Sequence, residues 1–347
     1  MNVAVIGGGI CGLTSAYQAL SEKSLNIKQL HIYADKYLSQ TTSNGAAGLC
    51  IAEDVFNTPR EKLNRWGKDS LEYGRKMIAF DPDSAEKGFQ PVHGFLLSRK
   101  PISDIRWAHL GISFVIMNEQ DINRRFPNID PDIKYGISFS THTLESCRYL
   151  PYLTREIEKL GGKFFNRKIK SLSELSDKYD VIINCCGLGA SELVGDDKMI
   201  PTRGQIMYVK APWIKEFVYN IDFEDGKVPY LIPNIDRVVV GGTKQTYNSS
   251  LELSEKDRDW ILEKTKKLVP SVEKMEIIGD WIGIRPGRDE IRLECEIIKA
   301  PSVNDPNRTI PVIHNYGHGS NGITYSWGCG VNVIELVRAH CGVKSSL

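Results

Sequence analysis

The sequence lacks the features that mark several protein classes. Its 44 Lys and Arg residues nearly balance its 43 Asp and Glu residues, and a net charge of +1 argues against nucleic acid or an anionic membrane as a partner. It has no apolar run of about 18 residues, which argues against a membrane span. It shows no repeats, linkers or low-complexity segments. A compact, interleaved fold is therefore expected.

Cysteine spacing excludes two further classes. The eight cysteines, at positions 11, 50, 147, 185, 186, 295, 329 and 341, include no CxxC pair. Neither a disulfide framework nor a zinc site is therefore predicted, and reduced thiols are expected. The first residues have the pattern of a buried strand, not of a secretory signal.

The N-terminus carries a dinucleotide-binding pattern. Residues 3–6 predict a strand, residues 13–20 a helix and residues 30–34 a second strand. The turn between strand and helix contains Gly7, Gly9 and Gly12 in GxGxxG spacing, which suits a tight turn, a close approach to pyrophosphate and helix–strand packing. Asp35 follows the second strand, where it would bind a ribose hydroxyl and disfavour a 2′-phosphate.

The 347 residues suffice for about two domains at ~150 residues each. A helix is predicted over 149–160 and strands over 163–170 and 179–186, whereas 203–245 alternates like an antiparallel sheet and a helix begins at Ser254. The predicted class is α/β, with a Rossmann-like domain (1–52, 144–195 and 275–347) interleaved with an α+β substrate or lid domain (53–143 and 196–274) on a mainly antiparallel sheet.

Two motifs near the C-terminus carry the chemistry. Arg285, between glycine and proline in Gly-Ile-Arg-Pro-Gly-Arg, suits a rigidly placed carboxylate receptor. The glycine-rich segment 314–324 precedes a predicted helix and suits a backbone cradle for a polar or anionic ligand. His314 and His318 have no acidic or cysteine partner at ligand spacing, so no metal site is predicted. Glycine-rich motifs at both ends of the chain favour a flavoprotein oxidase over a nicotinamide enzyme.

Several segments together resemble one family, the D-amino-acid oxidases, which include the D-aspartate oxidases. The resemblance covers nearly the whole chain. Its carriers are residues 5–13, 33–35, 41–43, 46–49, 184–187, 203–207, 229–233, 283–288 and 314–324.

The resemblance implies an FAD-dependent oxidase with non-covalently bound FAD. Arg285 and Tyr230 would hold the substrate carboxylate, and the backbone carbonyl of Ser320 would hold the amino group. The α-hydrogen would leave as hydride to flavin N5, water would hydrolyse the imino acid, and dioxygen would be reduced to hydrogen peroxide. The partners implied are a D-amino acid and dioxygen.

The resemblance also implies a set of cofactor-binding residues. They are Gly7, Gly9, Ile10, Gly12, Asp35, Lys36, Thr41, Thr42, Ser43, Ala47, Gly48, Lys168, Ile169, Cys186, Gly187, Gly319, Asn321, Gly322, Ile323 and Thr324.

Substrate preference divides the family. Lys244 and Ser320 resemble the branch that takes acidic substrates, and a cation there would favour D-aspartate or D-glutamate. Glu53 stands near a position where that branch has histidine, and its carboxylate would repel an acidic substrate unless Lys227 or Arg203 compensates. The segment 224–227 is shorter than in either branch. Acidic D-amino acids are the prediction.

Other readings stay open. The substrates could be neutral or basic D-amino acids. The protein could also be a catalytically silent flavin-binding protein or a nicotinamide-dependent dehydrogenase. The ending Ser345-Ser346-Leu347 partly matches a peroxisomal import signal, and peroxide production favours that compartment over the cytoplasm. An import receptor would then be a further partner.

Overall fold

The computed structural model describes residues 1–102, 110–222, 224–301 and 305–342. The tripeptide 345–347 lies outside these residues. The strands are β1 (Asn2–Gly8), β2 (Gln29–Tyr37), β3 (Phe89–Ser98), β4 (Phe114–Met117), β5 (Tyr135–Leu144), β6 (Lys163–Asn166), β7 (Val181–Asn184), β8 (Met199–Lys210), β9 (Glu216–Asn220), β10 (Lys227–Pro233), β11 (Val238–Thr243), β12 (Gln245–Thr246), β13 (Glu276–Lys299) and β14 (Thr309–His318). The helices are α1 (Ile10–Ser21), α2 (Arg60–Phe80), α3 (Glu119–Arg125), α4 (Ser146–Lys159), α5 (Ser173–Ser176), α6 (Ala190–Leu193), α7 (Glu255–Leu268) and α8 (Gly322–His340).

The N-terminal strand–helix–strand unit forms as its sequence pattern predicts. Strand β1 runs parallel to β2 on one side and to β7 on the other. The short β7 is a purely apolar run plus Asn184 and is fully buried, as expected for a strand covered on both faces. Helix α1 starts immediately after Gly9 and packs against α8 and α4. The predicted nucleotide-binding unit is thereby confirmed as a fold element.

The strands join into one mixed sheet. Its order is β4-β5-β3-β9-β10-β11-β8-β13-β14-β7-β1-β2-β6, with β12 paired to β8. The strands β14, β7, β1, β2 and β6 are mutually parallel. From β4 to β14 the pairs are antiparallel except β3 with β9, which is parallel. The predicted α/β class is confirmed, whereas the division into two interleaved domains stays a prediction.

Strand β13 links the two kinds of sheet. Its first half, Glu276 to Arg288, pairs with β8, and its second half, Gly287 to Lys299, pairs with β14. Such a long strand was not predicted, because Pro286 and three glycines interrupt it. Pro286 is tolerated there since the strand shifts register between Gly287 and Arg292 and changes neighbour at that point.

One predicted strand is shorter than expected. β6 ends at Asn166 and not near Lys170. The Glu174 carboxylate accepts hydrogen bonds from the backbone N–H groups of Lys170 and Ser171, at 2.8 and 3.1 Å. These bonds hold the chain in a turn towards α5, after its pairing with β2 has ended at Asn166. No helix within the described residues is long and apolar enough to cross a membrane.

Candidate active site

A cavity of about 1200 Å³ runs past the carboxyl ends of β1 and β2 and along β8, β10 and β13. The predicted site residues that line it are Arg285, Tyr230, Ser320, Lys244, Gly7, Gly9, Ile10, Asp35, Lys36, Thr41, Thr42, Ser43, Ala47, Gly48, Lys168, Ile169, Cys186, Gly187, Gly319, Asn321, Gly322, Ile323 and Thr324. Segments that are far apart in sequence thus meet at one cavity.

Gly12 is the exception. It does not line the cavity, and a Cβ at this position would overlap the backbone carbonyl of Gly7. Its role is therefore the close packing of α1 on β1, which is the role expected of the third glycine of the pattern. The prediction that Gly12 itself contacts the cofactor is corrected.

The first glycine turn forms an anion cradle. Gly7 has φ +117°, and a Cβ there would overlap the backbone of Cys185. Gly9 precedes the first turn of α1, whose free N–H groups and positive dipole end favour a pyrophosphate. The Ile10 N–H donates to the Ser43 hydroxyl at 3.1 Å, which fixes the neighbouring segment against the turn.

A second cradle comes from the C-terminal motif. Gly319 has φ +57°, and the turn that follows leads directly into the 19-residue helix α8. Asn321 and Thr324 are buried at the start of this helix. Two long helices therefore begin at the same cavity, as the two glycine-rich motifs predict.

The outer end of the cavity is polar and exposed. Asp35 and Lys36 follow the buried part of β2, and Lys168 pairs with Glu192 at 2.5 Å. Ile169 is buried beside them. A carboxylate at the end of β2 is the group expected to bind an adenosine ribose.

Arg285 is a half-buried cation on the cavity wall. Its Nη1 donates to the backbone oxygen of Thr243 at 2.8 Å, and its guanidinium lies against Gly204, where any Cβ would overlap it. Burial lowers the pKa of Arg285 from its usual value, but arginine stays protonated in proteins. Within the described ranges it forms no ion pair with a carboxylate.

Tyr230, on β10, lies close to Arg285, on β13. Its side chain is buried, and burial raises its pKa while the charge of Arg285 acts in the opposite direction. Its hydroxyl has no hydrogen-bond partner among the described residues. A neutral phenol and a guanidinium on one wall can together donate to a carboxylate.

Tyr219 and Glu53 form a pair that the sequence did not predict. Tyr219 on β9 pairs in register with Tyr230, and the two rings meet edge to face with centroids 5.6 Å apart. Burial and then the charge of Glu53, which accepts a hydrogen bond from its hydroxyl, raise the pKa of Tyr219 well above its usual value. Both residues line the cavity. The one available signal was the position of Tyr219 in a predicted sheet beside a known site strand.

Lys244 follows Thr243 and lines the cavity, with its backbone N–H donating to the Gly226 oxygen at 2.6 Å. The two residues suggested to offset Glu53 do not line the cavity. Arg203 bonds Asp257 at 3.2 Å, and Lys227 lies 3.9 Å from the same carboxylate. That suggestion is wrong, because both cations face Asp257.

The two histidines of the C-terminal motif are buried hydrogen-bonding groups. His314 contacts Asn184 and Glu296, and His318 lies between the thiols of Cys11 and Cys329 at 3.6 and 3.4 Å. Burial lowers the pKa of His318 to about 4, so it is neutral. In the described part of the chain, no group of three or more His, Cys, Asp or Glu is placed to hold a metal ion.

Comparison with known proteins places this site in a class. The family model described as FAD dependent oxidoreductase matches residues 2–336. The chain belongs to this family of FAD-dependent oxidoreductases, and FAD is its cofactor. The family binds FAD non-covalently as a rule. The two glycine cradles fit the cofactor. The first has no room for a Cβ at Gly7, and the second places Gly319 at φ +57°, where a residue other than glycine would be strained.

Particular relatives confirm the resemblance to the D-amino-acid oxidases. The chain is 32% identical to D-aspartate oxidase of Homo sapiens over 96% of its own length and 94% of that protein. It is 32% identical to D-amino acid oxidase of Dugesia ryukyuensis over 97% of both chains. The solved structure of glycine oxidase from Geobacillus kaustophilus superposes with a TM-score of 0.74 at 17% identity, over 99% of this chain and 95% of the other.

Proposed function

We propose that the protein oxidatively deaminates acidic D-amino acids, chiefly D-aspartate and D-glutamate, to a 2-oxo acid, ammonia and hydrogen peroxide. The observation that carries the proposal is Arg285, a half-buried guanidinium on the cavity wall that has no carboxylate partner among the described residues. A cation that is partly withdrawn from water and lacks a counter-ion is costly, so a ligand carboxylate is its natural partner. Tyr230 adds a neutral donor beside it.

In this proposal the chain binds and orients the substrate. Arg285 and Tyr230 hold the α-carboxylate, and the backbone carbonyl of Ser320, at the edge of the cavity, accepts a hydrogen bond from the α-amino group. When bound, FAD supplies the acceptor for the α-hydrogen and its electrons, and dioxygen is the final oxidant. Holding the α-carbon in one orientation is the main contribution that these side chains make to the rate.

The position of Lys244 is an argument for acidic substrates. It lies on the same cavity as Arg285 and follows Thr243, whose backbone oxygen accepts from Arg285. A substrate with two carboxylates would place one near each cation. Glu53 supports the second candidate, oxidation of neutral or basic D-amino acids, because its carboxylate faces the same cavity.

A peroxide assay with D-aspartate, D-glutamate, D-alanine and D-lysine separates these candidates. Acidic preference predicts the highest kcat/KM for D-aspartate or D-glutamate. Highest activity with D-alanine or D-lysine would support the second candidate, and no peroxide from any of them would support a silent flavin-binding protein. A purified protein that is colourless and releases no FAD would contradict both candidates.

Replacing Lys244 sharpens the assignment. In Lys244→Met, the KM for D-aspartate should rise about tenfold, as expected for one lost charge interaction, while the KM for D-alanine stays near its original value. Lys210→Met, at an exposed position on β8, is the control for loss of a lysine charge. Equal changes for both substrates would contradict the proposed role of Lys244.

We also propose import into peroxisomes through Ser345-Ser346-Leu347, since a peroxide-producing enzyme benefits from a compartment that destroys peroxide. A fluorescent reporter ending in these residues should collect in peroxisomes. A reporter ending in Ser-Ser-Ala is the control, and diffuse cytoplasmic fluorescence from both would contradict the proposal.

A further inference from the structure

A buried ion pair lies behind the part of the cavity wall that carries Arg285. Arg203 on β8 is 2% exposed, and Asp257 in the first turn of α7 is 6% exposed. The guanidinium donates five hydrogen bonds, to Ser250 O, Gln245 Oε1, Asp257 Oδ2, Gln205 Oε1 and Glu252 O, at 2.6 to 3.2 Å. All of its donors are therefore used, and Asp257 is the only charged group among the acceptors.

The same ion pair holds Gln245, the residue that follows Lys244 in the chain. Gln245 accepts from Arg203 Nη1 at 3.1 Å and donates to Asp257 Oδ2 at 3.0 Å. Its backbone pairs with Arg203 as strand β12. The residue after Lys244 is thus held by both charges of the buried pair.

The other side of Lys244 is held from the adjoining strand. The Gln205 N–H donates to the Thr243 hydroxyl at 2.8 Å, and the Thr243 backbone oxygen accepts from Arg285 Nη1 at 2.8 Å. The Gln205 side chain also accepts from Arg203. The three residues Thr243 to Gln245 are therefore fixed at both ends by a network that begins at Arg203.

Arg285 shares this support. Its guanidinium lies against Gly204, between Arg203 and Gln205, and is within 3.4 Å of the Arg203 backbone oxygen. Any shift of β8 at residues 203–205 would therefore move the groups that orient Arg285. The buried pair lies outside the cavity lining and cannot contact a substrate.

We infer that Asp257 is a positioning residue, which acts through Arg203 and Gln245 to set the separation of Arg285 and Lys244. The inference rests on the proposed function, because it assumes that these two cations bind substrate carboxylates. A fixed separation would favour dicarboxylates of one length over monocarboxylates. Asp257 would then control selectivity without touching the substrate.

Binding of unreactive analogues tests this without turnover. Succinate and propionate are D-aspartate and D-alanine without the amino group, and perturbation of the flavin absorption of the purified holoprotein measures their Kd. In Asp257→Asn, we expect the Kd to rise about tenfold for succinate and about threefold for propionate. In Gln245→Leu, which keeps the ion pair but releases the Lys244 segment, we expect about a threefold rise for succinate and no change for propionate.

A matched buried carboxylate serves as the control. Glu145 is 3% exposed, pairs with Arg148 at 3.0 Å and does not line the cavity. Glu145→Gln should change FAD content and thermal stability no less than Asp257→Asn, but leave the ratio of the two Kd values unaltered. An unaltered ratio in Asp257→Asn would overturn the inference. If that variant loses FAD, an unchanged succinate Kd in Gln245→Leu would overturn it instead.

The two proposals fail in different ways. Absence of peroxide from the unmodified protein with every D-amino acid would contradict the proposed function. A Kd ratio that does not respond to Asp257 or Gln245 would contradict the positioning role alone.

Discussion

The two ends of the cavity are lined by different parts of the chain, backbone groups at one end and side chains at the other. At the cofactor end, backbone groups around Gly7, Gly9 and Gly319 form the surface, and the start of a long helix lies behind each turn. At the substrate end, side chains such as Arg285 and Tyr230 form the surface, and a buried polar network holds them. The first end has no room for a Cβ at Gly7, whereas the second depends on charge and orientation. Substitutions at the two ends should therefore affect different measurements.

Arg285→Met should give the largest effect, confined to the substrate end. Loss of a buried charge that pairs with a carboxylate costs about 2–5 kcal/mol, so kcat/KM should fall roughly 30-fold to several thousandfold. Steady-state peroxide assays measure this, and FAD content should stay unchanged. Arg285→Lys keeps the charge without the planar fork, so its kcat/KM should lie between those of the unmodified enzyme and Arg285→Met. Near-normal kcat/KM in Arg285→Met would remove the basis of the proposed function.

Tyr230→Phe should give a smaller loss at the same end. A hydrogen bond to a charged group contributes about 1.5–3 kcal/mol, so kcat/KM should fall about ten- to a hundredfold. Because burial raises the pKa of Tyr230, its hydroxyl is protonated at neutral pH, and the ratio of the two enzymes should not vary between pH 6 and 8. A ratio that changes across this range would show that the phenol titrates.

Gly7→Ala tests the cofactor end. The added Cβ would overlap the backbone of Cys185 at a positive φ, and such overpacking costs about 1–3 kcal/mol. The ratio of flavin to protein should fall, while the KM of the enzyme that retains FAD stays near normal. Gly161→Ala, at φ +87° with no atom within 4 Å of the new Cβ, is the control for backbone strain alone. Equal FAD loss in both variants would argue against the close-packed turn.

Glu53→Gln should give the smallest effect. Removing its charge from the cavity while keeping an acceptor for Tyr219 should lower the KM for D-aspartate about threefold, which corresponds to ~0.7 kcal/mol. The KM for D-alanine should not change. A rise in the KM for D-aspartate would mean that Glu53 assists acidic substrates and would reverse its assigned role.

The same contrast explains what the sequence could predict. Gly7 and Asp35 belong to a local pattern in which spacing and the flanking strands carry the meaning, so the cofactor end was predictable from about 35 residues. Arg285 was predictable from its motif, and its role came from resemblance to a family. The contact of Tyr219 with Glu53 depends on the register of β9 against β10 and on a segment more than 160 residues away. No local pattern encodes such a contact.

The ion pairs of the two cations behind the sheet could not be predicted for a related reason. Arg203 and Lys227 are the two cations suggested above to offset the charge of Glu53. Both instead face Asp257, since helix α7 lies behind the sheet and brings that carboxylate to them. The direction in which a strand residue points depends on the pleat and on what covers each face, and neither can be taken from a motif.

Strand β13 has a consequence for the whole molecule. Because one half of it pairs with β8 and the other with β14, neither set of strands could be expressed alone without exposing a long unpaired edge. A truncated version made at either side would present that edge to other chains and aggregate. The two halves of the cavity should therefore unfold together, and thermal melting of the holoprotein should show a single transition.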